Sequence, residues 1–134
     1  MYMRIFNEFV SGNDTLRVYQ NDKLLFSSKK DRVIPLLEYI DRFADQHREV
    51  VIFDKIMGNA AALLSVKANA SEVYSPLGSQ LAVITLDRYD IKHHLNQITD
   101  FIRKPASEEM CPMERLSIDK EPEEFCTLMK RIIK

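Results

Sequence analysis

Residues 50–64 read Val50-Val51-Ile52-Phe53-Asp54-Lys55-Ile56-Met57-Gly58-Asn59-Ala60-Ala61-Ala62-Leu63-Leu64. The first four are continuously apolar and rich in β-branched side chains, the pattern of a strand buried on both faces. The run stops abruptly at the charged pair Asp54-Lys55. From Gly58 to Lys67 the chain becomes rich in alanine and leucine and apolar on most sides. Such small residues let a helix lie close against a sheet. A buried strand followed directly by a buried helix calls for a parallel sheet with right-handed crossovers.

The same alternation continues downstream. Glu72-Val73-Tyr74-Ser75 reads as a second strand, and Pro76-Leu77-Gly78-Ser79 as the opening of a helix carrying Leu81, Ala82, Ile84 and Leu86. Asp90 to Leu95 reads as a third strand, followed by a short helix or turn through Ile98, Phe101 and Ile102. Arg103 to Met110 is polar and reads as a loop. Pro122 starts a last helix with Phe125, Leu128, Met129, Ile132 and Ile133 on one stripe. Its first turn holds Glu121, Glu123 and Glu124, and its last holds Lys130, Arg131 and Lys134, an order that complements the helix dipole.

Upstream of the strand, Pro35 fits a first helical turn, and Leu36, Leu37, Ile40, Phe43 and Ala44 trace one face. Thr15 to Gln20 alternates about a turn cluster at Asn21-Asp22-Lys23, and Leu24-Leu25-Phe26 follows, which predicts a β-hairpin. Ile5, Phe6, Phe9 and Val10 have helical spacing, with Gly12 where a C-cap glycine would stand. The expected architecture is one domain over residues 1–134: a three-layer α/β/α sandwich. Its mixed sheet has about five strands, an antiparallel hairpin and then parallel strands, with helices on both faces.

Bulk properties narrow the function classes. The 134 residues, 46% hydrophobic and 29% charged, suit one globular domain with a real core. A formal charge of −1 argues against nucleic acid or an anionic membrane as the default partner. No apolar run approaches the length of a membrane span. The first ten residues contain Arg4 and Glu8 and no signal-peptide core, so a cytosolic location is expected. Two cysteines, Cys111 and Cys126, without a CxxC pair point to reduced thiols. Cys126 lies beside the apolar stripe of the last helix and reads as core. His93 and His94 are adjacent in a strand and point to opposite faces, so they cannot serve one metal together. His47 ends a helix and reads as exposed. No metal and no cofactor are predicted.

In an open α/β sheet, ligands sit beyond the carboxyl ends of the parallel strands. Two junctions qualify: Asp54 to Asn59, and Ser75 to Ser79. Each brings a glycine to a helix start, where backbone N–H groups can receive an anion. Ser75 or Ser79 could instead cap the following helix. Asp54 and Lys55 could line the mouth, or be only a solvated strand end.

These motifs add up to a resemblance. Asp54-Lys55-Ile56-Met57-Gly58-Asn59-Ala60-Ala61-Ala62-Leu63-Leu64, Val73-Tyr74-Ser75-Pro76, and Cys111-Pro112-Met113-Glu114 followed by Pro122 are similar to the family called domain of unknown function 1893. Arg103-Lys104-Pro105 departs from it, standing where an Asn-Arg pair is expected. The resemblance implies a cytidine-deaminase-like fold without deamination. Zinc deaminases need a His or Cys with a Glu at one junction and P-C-x-x-C at the next, and neither junction here has a Cys or His.

Three functional readings follow. In the first, a small nucleotide-like or anionic ligand binds at the mouth without zinc, with Lys55, Gly58, Asn59 and Ser75 binding it and Asp54 orienting a polar group. In the second, Cys111 is a nucleophilic or redox thiol, with Glu114 and Asp54 as acid or base. In the third, the Cys111–Glu114 segment is a clasp in a non-catalytic regulatory or interaction module, with Met113 and Leu116 in the core and Glu114 paired with Lys55 or Arg115. A homo-oligomer is left open.

Overall fold

The structure, a computed structural model, describes residues 2–133. Helix α1 spans Met3–Ser11, and the hairpin β1 (Leu16–Gln20) and β2 (Lys23–Ser28) follows. Asn21 and Asp22 both take positive φ, 50° and 67°, the geometry a tight two-residue hairpin turn demands. Then come α2 (Ile34–Phe43), β3 (Val50–Asp54), β4 (Ile56–Met57) and α3 (Asn59–Lys67). Next are β5 (Ala70–Ser79), α4 (Gln80–Arg88), β6 (Lys92–Thr99), α5 (Pro112–Ser117) and α6 (Pro122–Ile133).

Strands β1 and β2 are antiparallel, and β1 is also antiparallel to β3. Both β3 and β4 run parallel to β5 on one edge, at Val50–Phe53 and Ile56–Met57, and β6 runs parallel on the other. With β3 and β4 taken as one strand broken at Lys55, the mixed sheet has five strands in the order β2-β1-β3/β4-β5-β6. Pro76 falls opposite that break, where its missing N–H leaves no ladder gap.

Period-two alternation divides the core. Leu16, Val18, Val50, Ile52 and Val73 face a large cluster shared with α2, α3, α4 and α6. Tyr19, Val51, Phe53 and Tyr74 face a second cluster closed by Tyr2 and by Phe6 and Phe9 of α1. Helices thus cover both faces, but one side is roofed by a single short helix. There Tyr2, Phe6, Phe9, Tyr19, Phe53 and Tyr74 pack mostly edge-on or tilted, the favoured aromatic geometry.

Two local expectations are corrected. Pro76-Leu77-Gly78-Ser79 does not open a helix: β5 runs through it, because Leu77 and Gly78 pair with β4 on one side and β6 on the other. Helix α4 starts at Gln80, with Ser79 as its cap. The third parallel strand continues to Thr99 rather than turning helical at Ile98, held by its pairing with β5 up to Ser79. Gly12 caps the end of α1 as expected, with extended backbone (φ −92°, ψ −177°) and its N–H donating to the Phe9 carbonyl. The unexpected element is α5, which Pro112 initiates at its first position.

Candidate functional site

At the carboxyl end of β3 and β4 the chain enters α3 through Gly58, whose φ of −79° any residue could adopt. What requires glycine is space. A Cβ there would meet Ile102 Cγ1 at 2.9 Å and Glu114 Oε1 at 3.0 Å. The segment 101–117 therefore folds back over the first turn of α3.

Glu114, only 2% exposed, is the centre of this contact. Its Oε1 accepts the backbone N–H of Asn59 at 2.6 Å, and its Oε2 accepts that of Ile102 at 2.8 Å. A carboxylate at the N-terminus of α3 satisfies an orphan donor and the positive end of the helix dipole together. The Asn59 side-chain amide donates to Ser117 Oγ at 3.0 Å and to the Ser117 carbonyl at 3.2 Å. Ser117 Oγ donates back to the Glu114 carbonyl at 2.6 Å, and Thr85 Oγ1 of α4 donates to Asn59 Oδ1. Glu114, Asn59 and Ser117 are all buried, and this network gives each a partner.

Asp54 lies one residue before the break in the strand and is 8% exposed. Burial pushes its carboxyl up to about 7, against the pull of the Ile56 and Lys55 backbone N–H groups. It shares a face with Val50 and Ile52, and hence with α3. Lys55, at the break, turns to the α1 side of the sheet. Its Nζ donates to the Gly12 carbonyl at 2.7 Å and lies 5.0 Å from the Phe9 ring centroid.

Expectations for the site divide accordingly. Gly58, Asn59 and Glu114 come together, with Asp54 on the same face. Lys55 does not join them, because its Nζ is held by the Gly12 carbonyl on the α1 side, and it is not the partner of Glu114. Arg115 is exposed and is not that partner either. Ser75 is fully buried in β5, where its Oγ donates to the Leu77 carbonyl at 2.9 Å, so Ser79 alone caps α4. Cys111 is half-buried just before α5, its N–H donating to the Ile102 carbonyl at 2.8 Å and its carbonyl accepting from Arg115 N at 3.0 Å. Both thiols are free, and Cys126, on α6, is buried in the main core, which pushes its thiol up. Met113 and Leu116 pack against the main core.

The polar stretch before Cys111 is a loop tied to itself. Arg103 and Met110 form an antiparallel bridge, and Lys104 N donates to the Glu109 carbonyl at 2.9 Å. The Arg103 guanidinium sits over the Phe101 ring at 4.4 Å and pairs with Asp100 at 3.0 Å. His93 pairs with Asp87 on α4 at 3.0 Å, whereas His94 pairs with Glu72 at 2.6 Å and stacks on Tyr74. The two histidines thus serve opposite faces. His47 is half-buried, with its Nδ1 2.9 Å from Gln20 Oε1. Among the described residues no set of three His, Cys, Asp or Glu side chains converges as a metal site, and no helix is long and apolar enough to cross a membrane.

Sequence reading missed Ile102, Ser117 and Thr85 as members of the cluster. A serine three residues after Glu114 was the one visible cue, and only once α5 is known to be a helix.

Comparison with known proteins places the fold. None of the curated proteins matches the chain. A crystal structure of a DUF1893 family protein from Thermotoga maritima superposes with a TM-score of 0.83 at 23% identity, covering 97% of this chain and 86% of that one. The family model described as a domain of unknown function, DUF1893, matches residues 4–133. With nearly its whole length accounted for by that model, the chain belongs to the DUF1893 family.

Proposed function

We propose that this is a zinc-independent domain of cytidine-deaminase-like fold that binds a small anionic, nucleotide-like ligand at the strand-end mouth. One observation carries the reading. The backbone N–H groups of Asn59 and Ile102 already hold a carboxylate, that of Glu114, at the N-terminus of α3. A spot that holds one carboxylate has the chemistry to hold another, or a phosphate. Glu114 is then the resident anion that a ligand displaces, Gly58 gives the close approach, and Asn59 and Ser75 line the floor. Asp54, with its raised pKa, offers a protonated oxygen to a polar ligand group near neutral pH.

The strand order, with β1 alone reversed between the neighbours β2 and β3, supports the deaminase-like assignment. The residues that open α3 and α4 are Gly58-Asn59 and Ser79-Gln80. Amides and hydroxyls do not hold zinc as thiolate or imidazole does, so this donor set does not fit the deaminase metal.

A second reading has its own support: every polar atom of the Glu114–Asn59–Ser117 cluster has an internal partner, as a clasp in a non-catalytic regulatory or interaction module requires. The Cys111 enzyme is favoured least, since both oxygens of its intended acid or base, Glu114, are engaged by backbone N–H groups.

Thermal-shift screening of nucleotides and inorganic phosphate separates the first two readings. The ligand reading expects at least one anion to raise the melting temperature, and to raise it more in Glu114→Gln, whose resident charge is gone. A flat response across the panel in both proteins leaves only the clasp.

A further inference from the structure

We infer that the free edge of β6 is the surface through which two copies of this chain join into one continuous sheet. The two edges of the sheet are built differently. The β2 edge begins at Lys23, is followed by Lys29 and Lys30, and carries a register shift at Val18/Tyr19 in its pairing with β1. Charges and irregular pairing are how exposed edges avoid one another. The β6 edge has neither protection. Its eight residues, Lys92–Thr99, pair regularly with β5 along one side, contain a single full charge, and expose Asn96, Gln97 and Ile98 in succession. Its outward backbone groups bond to no other described segment. A long, regular, nearly uncharged edge is a template for another strand.

Symmetry then selects the register. A two-fold axis normal to the sheet keeps both helical layers on the same side and pairs the β6 strands antiparallel. Paired residues must share a face, so one residue faces its own copy across the axis. With Asn96 there, Lys92 of each copy lies opposite Asp100 of the other, so unlike charges meet at both ends. The exposed Asn96 and Ile98 fall within the new pairing.

The helical layer agrees. Asp87 of α4 reaches over β6 to His93 at 3.0 Å. Ile84, one turn earlier on the same helix face, is therefore on the side that overhangs this edge, and it is 58% exposed. In the joined sheet the two α4 helices flank the axis and shield each other's Ile84.

Sedimentation velocity on the full chain, over a dilution series, reads the outcome. The expected result is a dimer that Asn96→Lys weakens on the order of tenfold or more, by setting like charges directly opposite. Lys92→Glu should weaken it as well, and Lys92→Glu with Asp100→Lys should restore it. In a Cys111→Ser background, Asn96→Cys should cross-link to its own copy on mild oxidation, whereas Lys92→Cys should not. A wild-type chain that stays monomeric, a dimer indifferent to Asn96→Lys, or a failure of Asn96→Cys to cross-link overturns the inference.

Discussion

Glu114 and Asn59, 55 residues apart in the chain, are joined by a 2.6 Å hydrogen bond from the Asn59 backbone N–H to the Glu114 carboxylate. Glu114 therefore acts as the cap that α3 lacks in its own sequence, since its N-cap is Gly58. Removing the carboxylate leaves the buried Asn59 N–H and the part-buried Ile102 N–H without acceptors. Glu114→Ala is expected to cost roughly 3–5 kcal/mol, and Glu114→Gln, which keeps one acceptor oxygen, less. Urea titrations of the two variants check the ranking; near wild-type stability in Glu114→Ala would show that the cap is dispensable.

Gly58→Ala tests the space rather than the charge. The added methyl has no backbone strain to meet, but it would lie well inside van der Waals contact of Ile102 Cγ1, at 2.9 Å, and of the fixed Glu114 Oε1, at 3.0 Å. Overpacking of this kind costs about 1–3 kcal/mol. Ile102→Ala removes that Cγ1 atom, so the double variant with Gly58→Ala should lose less than the sum of the two single losses, and a double-mutant cycle on melting or denaturant midpoints measures it.

Asp54 sets a pH dependence whose sign is fixed by its raised pKa. The unfolded carboxyl ionises near its ordinary value of 3.8, the folded one near 7. Its favourable share of stability is thus complete below the unfolded value and is lost as pH climbs through the folded one, by a few kcal/mol (roughly) at most. Asp54→Asn removes that ionisation. Across pH 5 to 8 its stability should fall less than the wild type's, and superimposable profiles would refute the assignment.

Much of this architecture was legible in local pattern. The Val50–Phe53 strand, the alanine-rich helix, the hairpin and the Pro35 and Pro122 helices each carry their periodicity or their start signal in a few adjacent residues. What escaped was set by partners. Leu77 and Gly78 look like a turn, and become strand only because β4 and β6 take both edges. Lys55 adjoins Asp54 in sequence, yet its Nζ is held by the Gly12 carbonyl and the Phe9 ring on the opposite side, contacts made by a distant segment. Glu114 is held by backbone N–H groups rather than by a cation, which no side-chain pattern announces.

Thiol labelling separates the two cysteines. Cys111 is half-buried just before α5, while Cys126, on α6, is buried in the main core. Under native conditions alkylation should modify Cys111 well before Cys126, and Cys126 should react only as the chain unfolds. Mass spectrometry of the labelled peptides reads this directly, and equal rates would place Cys126 outside the core.

The Glu114 contact also bears on the order of assembly during synthesis. Helix α3 lies at the middle of the main core, yet its first turn is completed by residues made much later, from Ile102 to Ser117. A ribosome-bound chain that has emerged only through β6 holds the central helix with its N-terminal amides still open to water. Such a closure over 55 residues is entropically late and slow. The core should therefore lock in a single cooperative step only once α5 has closed over α3 and α6 has supplied Phe125, Cys126 and Met129, rather than growing strand by strand from the amino terminus.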